Sequence, residues 1–127
     1  MAGVKRFEDL VAWQRAREMN REIYLITRAG EFARDFSFVN QIRRASVSIL
    51  SNIAEGFERS GSGEFHQFLV VAKASCGEVR SDLYVALDIG YLSEPDFQRL
   101  SGMAENLGRI LGALRAAVQK RRDGRKK

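Results

Sequence analysis

Apolar residues recur along this chain at the alternating steps of three and four that mark one face of a helix. Ala12, Ala16, Met19, Ile23 and Ile26 step by 4, 3, 4 and 3 within a first helical segment over residues 8–29. Trp13 and Tyr24 flank that stripe, and Gly30 supplies a C-terminal stop. Phe38, Ile42, Ala45, Ile49 and Ile53 form the seam of a second helix, which Asp35 or Ser37 can cap and which runs to about Arg59. A Gly/Ser turn over 60–63 precedes a third, with Phe65, Leu69, Ala72, Cys76, Val79, Leu83 and Ala86 on its seam and Gly90 at its close. Ser93-Glu94-Pro95-Asp96 then reads as a helix start, combining a capping hydroxyl, early acids and a first-turn proline. Phe97, Leu100, Ala104, Leu107, Leu111, Leu114 and Val118 complete a fourth seam.

Four such segments joined by short connections predict an all-α fold, an antiparallel up-down-up-down four-helix bundle. No segment shows a period of two, so strands are not expected. A single domain is expected over residues 1–119, with 120–127 as a flexible basic tail.

The second helix carries a polar ridge beside its apolar one. At 100° per residue, Gln41, Arg44, Ser48, Asn52, Glu55 and Arg59 share a narrow stripe. The third helix has a counterpart in Val71, Ser75, Glu78 and Asp82. If the ridges face each other, Arg44 should pair with Glu78, and Ser48, Asn52 and Ser75 should complete a hydrogen-bond network. Half-buried charges persist when paired, so the ridge suits a contact between helices or between subunits. The alternative is a solvated face on a monomer.

The stretch Gln41–Gly56, QIRRASVSILSNIAEG, resembles the signature of the four-helix-bundle proteins named after open reading frames in 23S rRNA intervening sequences, the S23 ribosomal protein family. Phe7-Glu8-Asp9-Leu10 with Trp13-Gln14 and Ala16 is similar to that family's opening helix. Further likenesses are Arg59-Ser60 with Glu64-Phe65, Ser75 with Glu78, and Leu87 with Gly90-Tyr91-Leu92. The family commonly has proline where this chain has Leu50, so the second helix should be straighter here. The resemblance implies assembly as a homopentameric ring. It also implies a distant likeness to the basic accessory proteins of diversity-generating retroelements, which bind nucleic acid and a reverse transcriptase.

Charge narrows where nucleic acid would be met. The formal net charge is +5, and the last eight residues, with six basic side chains and one acid, account for all of it. Lys120, Arg121, Arg122, Arg125, Lys126 and Lys127 are therefore the nucleic-acid candidates. The plainer reading of that run is a solvated, disordered, solubilising end. A weaker patch of Arg17, Arg21 and Arg28 is diluted by Glu18, Glu22 and Glu31.

Chemistry of other kinds finds few residues. His66 is the sole histidine and Cys76 the sole cysteine, too few for a zinc site or paired Glu-x-x-His motifs. No phosphate-binding glycine fingerprint occurs. The chain is read as a non-enzyme with no cofactor or metal and no catalytic residues. The absence of a signal-like segment and the lone cysteine suit the cytoplasm, and no apolar run is long enough for a membrane. The expected function is an oligomeric scaffold that binds RNA or DNA or associates with the ribosome. A protein-interaction module without a nucleic-acid role is the alternative.

Overall fold

The computed structural model describes residues 3–59 and 61–126. Four long helices form among them: α1 (Val11–Thr27), α2 (Phe36–Glu58), α3 (Ser62–Asp88) and α4 (Glu94–Lys126). The described residues contain no strand. Short 3-10 turns, Phe7–Asp9 and Phe32–Arg34, lead into α1 and α2.

Each helix packs on two others, α1 on α2 and α4, and α3 on α2 and α4. Cross-helix contacts fix the directions. Gln41 meets Asp82 and Ser48 meets Ser75, so α2 and α3 are antiparallel. Ser46 bonds Asn20 while Arg43 bonds Thr27, which reverses α1 against α2. Cys76 reaches Ala104 and Arg122 lies over Gly63, which reverses α4 against α3. The arrangement is that of an up-down-up-down four-helix bundle.

The apolar seams build its core. Every seam residue read from the sequence is buried except Ile26, Phe38 and Leu114, which pack half-buried at the edge. Met19, Ile23, Ile42, Ile49, Leu69, Leu100 and Leu111 lose essentially all solvent contact. Each such burial stabilises by about 1.5–3 kcal/mol before the ordering entropy is counted.

The helix ends follow from capping chemistry. The Asp35 carboxylate accepts the Phe38 backbone N–H, and Ser93 Oγ accepts that of Asp96. At the end of α3, Gly90 takes φ 83°, Tyr91 N–H bonds Ala86 O and Gly90 N–H bonds Leu87 O. That paired pattern is the Schellman stop, and its left-handed residue favours glycine. α2 runs unbroken through Leu50.

One expectation about an end needs correction. The first helix starts at Val11 rather than residue 8, because Leu10 is extended (ψ 128°) and turns its buried side chain inward. At the other end, α4 continues through the basic run as far as Lys126. Alanine, glutamine, lysine and arginine at 116–122 are all good helix formers, and cations suit a helix C-terminus. Lys127 and Ser60 lie outside the described residues, as do the side chains of Arg125 and Lys126.

Candidate functional site

The two polar ridges face each other across α2 and α3. Gln41 Nε2 donates to Asp82 Oδ1 at 2.8 Å. About two helical turns further along, the Ser48 and Ser75 hydroxyls share a hydrogen bond at 2.9 Å. Asn52 Nδ2 donates to Ser48 O at 2.8 Å and to Ser48 Oγ at 3.0 Å, fixing the Ser48 hydroxyl from behind. Ser48, Asn52 and Ser75 thus share one hydrogen-bond network within the chain, and Gln41 makes a separate bond to Asp82.

Arg44 and Glu78 do not pair. Among the described residues neither makes an ion pair, although both line one pocket of about 290 Å³ with Gln41 and Asn40. Both side chains stand exposed at the outer rim of the α2–α3 seam. An exposed pair there gains little over hydration. Glu55 also turns outward, where it bonds Arg59, which reaches on to Glu64 across the α2–α3 turn.

Asp82 is the residue whose role the sequence conceals. It is 3% exposed, and its Oδ2 is buried without a hydrogen-bond partner. Burial pushes its carboxyl above the usual carboxylate range, with the Gln41 bond opposing and nearby Glu78 adding to the rise. The sequence places Asp82 on the same stripe as Ser75 and Glu78 but does not mark it as the buried member of that stripe.

Beside the ridge the outer faces of α2 and α3 expose valines. Val47 (38%), Val70, Val71 (48%) and Val85 lie open to solvent among Ser51, Ala74 and Ser81. Arg44 and Glu78 stand within this surface, so it combines valines and small polar residues with one exposed charge of each sign.

The basic run is presented on the last turns of α4. Consecutive positions differ by 100°, so Lys120, Arg121 and Arg122 fan around α4. Lys120 and Arg121 are exposed, while Arg122 lies half-buried along Gly63. The weaker α1 patch is dispersed as well: Arg17 sits over the Trp13 ring at 5.6 Å, and Arg21 and Arg28 face solvent.

The remaining chemistry-bearing residues do not converge. Cys76 is 1% exposed, its thiol donates to Ala104 O at 3.3 Å, and burial pushes it up to about 11. His66 stands on the second turn of α3 with Nδ1 buried and unpartnered. No group of three or more potential metal ligands occurs among the described residues, and no described helix is long and apolar enough to cross a membrane.

Comparison with known proteins fits this geometry. A protein of unknown function from the S23 ribosomal protein family of Bacteroides thetaiotaomicron, known from a 1.70 Å crystal structure, superposes with a TM-score of 0.76 at 19% sequence identity. The match covers 84% of this chain and 96% of that one, a likeness of fold. No curated protein matches the sequence. The family model described as 23S rRNA-intervening sequence protein matches residues 8–113, which take in α1, α2, α3, the whole α2–α3 network and α4 as far as residue 113, short of the basic run. The chain belongs to the 23S rRNA-intervening sequence protein family.

Proposed function

We propose that this protein is a non-enzymatic oligomeric scaffold that binds RNA or DNA. The observation that carries the reading is the continuation of α4 through the basic run, which holds Lys120, Arg121 and Arg122 on one stiff support. A cation anchored on a helix loses less entropy on meeting a phosphate than one on a free tail. Copies assembled as the ring implied by the family resemblance would multiply the effect, since five basic ends gather about 25 positive charges. The α2–α3 outer face, with Val47, Val71 and Arg44, is the candidate for part of the subunit contact. A closed ring needs two unlike patches on each copy, and this face supplies one of them.

Two measurements test the reading. Light scattering should give a solution mass of several copies, reduced in Arg44→Ala without loss of helix content. Binding of a fluorescent oligonucleotide should fall steeply with added salt and weaken when residues 120–127 are deleted. Absence of binding by the intact protein at low salt would sink the nucleic-acid reading.

The exposed valines of α2 and α3 favour a second reading, a protein-docking module with no nucleic-acid role. Partner capture that survives nuclease treatment, from a protein that binds no oligonucleotide, would favour that alternative.

A further inference from the structure

On the opposite side of α3 from the polar ridge, α3 and α4 enclose an open groove of about 560 Å³. Glycines shape it: Gly77 on α3, and Gly108 and Gly112 one turn apart on α4. A Cβ added at Gly77 or Gly108 would meet nothing within 4 Å, so helix packing does not demand glycine at either position. Glycine in a helix interior costs about 1 kcal/mol against alanine. The result of carrying it here is an empty trough between two helices.

Three cations border that trough. Lys73 and Arg80 are seven residues apart on one face of α3, and Arg109 faces them from α4. The Lys73 stem lies across Gly112, its Cε 3.5 Å from where a Cβ would stand. The one acid in the wall, Glu105, reaches Arg80 at a loose 3.9 Å. Among the described residues Lys73 and Arg109 form no ion pair. The floor is Cys76, a neutral thiol that both Lys73 and Arg80 work against burial to ionise, so both cations lie near the same sulfur. Three cations against one carboxylate, around a trough floored by a neutral group, are the complement of a phosphate.

We propose that the α3–α4 groove is a binding site for the phosphodiester backbone of a nucleic acid, with Lys73, Arg80 and Arg109 as its phosphate contacts. Lys120 lies three turns beyond Arg109 on the same face of α4, about 16 Å along the axis. A strand laid along this face would span several nucleotides between the two, a reach that a small anion does not have. The inference rests on the nucleic-acid reading above and assigns the contact to a surface that the sequence's overall charge balance conceals.

The test compares the unaltered protein with three variants by fluorescence anisotropy with a labelled single-stranded RNA at low salt. Lys73→Gln with Arg109→Gln should weaken binding about tenfold and lower the salt slope by about 1.5, while leaving helix content and melting temperature unchanged. Gly108→Glu, which puts an acid into the trough where a side chain fits, should weaken binding without touching any cation. If both variants bind as the unaltered protein does while deletion of 120–127 abolishes binding, the groove assignment is wrong and the nucleic-acid reading survives. If the unaltered protein binds no RNA, that reading fails and the groove assignment falls with it.

Discussion

Gly56 of α2 and Phe68 of α3 approach so closely that a Cβ on Gly56 would stand 2.6 Å from the Phe68 Cβ. The obstructing atom is the root of a side chain, which cannot move without its backbone. Phe65 closes the same space, its Cδ1 3.0 Å from the added atom. The glycine ending the SNIAEG run is therefore a packing requirement where the chain doubles back from α2 into α3. Gly56→Ala should destabilise the fold by about 1–2 kcal/mol net, as overpacking outweighs the gain in helix propensity. Gly102→Ala, where nothing lies within 4 Å, should stabilise by about 1 kcal/mol. Urea unfolding of the two variants checks both signs, and a Gly56→Ala protein as stable as the parent would refute the close approach.

The buried Asp82 gives a prediction with a pH sign. Its folded carboxyl titrates above the ordinary range because of burial, so between the unfolded and folded values the native state holds the extra proton. Stability then falls as pH rises through that window and stays low above it. Asp82→Asn keeps an acceptor for Gln41 and removes both the buried charge and its repulsion from Glu78. The variant should melt about 3 °C higher than the parent at pH 7, with the advantage shrinking toward pH 4. Thermal melts across that range decide it, and an advantage that grows on acidification would contradict the assignment.

Asp35 serves two elements at once. One carboxylate oxygen caps α2 through the Phe38 N–H, and the other accepts the Tyr91 hydroxyl at 2.9 Å from the α3–α4 connection. Tyr91→Phe removes only the second bond and should cost about 1 kcal/mol. Asp35→Ala removes both and should cost about 2 kcal/mol or more. Equal losses in calorimetry would show that the tyrosine contact contributes nothing.

Cys76 should be silent to thiol reagents in the native protein. With its thiol pushed up to about 11 and 1% of its surface exposed, it offers neither thiolate nor access at pH 8. A disulfide reagent should label it only after unfolding in guanidinium. Rapid labelling of the folded protein would mean that the α3–α4 seam opens far more readily than its packing implies.

The sequence carries the bundle because its evidence is angular. Steps of three and four name the buried face directly, and the seams of all four helices are the core that forms. The angle says nothing of depth. Gln41, Arg44, Ser48 and Glu55 share one stripe, yet Gln41 and Ser48 bond across to α3 while Arg44 and Glu55 remain in solvent. Arg44 and Glu78 lie at matching heights, but at the rim, where water competes with the pair. Asp82 fails in the opposite direction, since a carboxylate reads as exposed until α2 is laid beside it. Lys73, Arg80 and Arg109 escape because their meeting is a property of two helices, and the glycines that open the space between them look like ordinary helix defects.

The four helices differ in length, and that difference sets how the molecule breathes. α4 has 33 residues and α1 has 17, so α4 is about 24 Å the longer. Glu22 pairs with Arg99 near one end, which leaves the far half of α4 beyond the start of α1. That half meets α3 where Lys73 lies across Gly112 and Arg122 along Gly63, with Leu111 and Val118 buried. Amide hydrogens should therefore exchange along a gradient, slowest near Leu100 and Leu107 and progressively faster toward Lys126, without global unfolding. The cationic end of the protein is thus a helical extension that projects past the four-way core, held mainly by its own backbone hydrogen bonds.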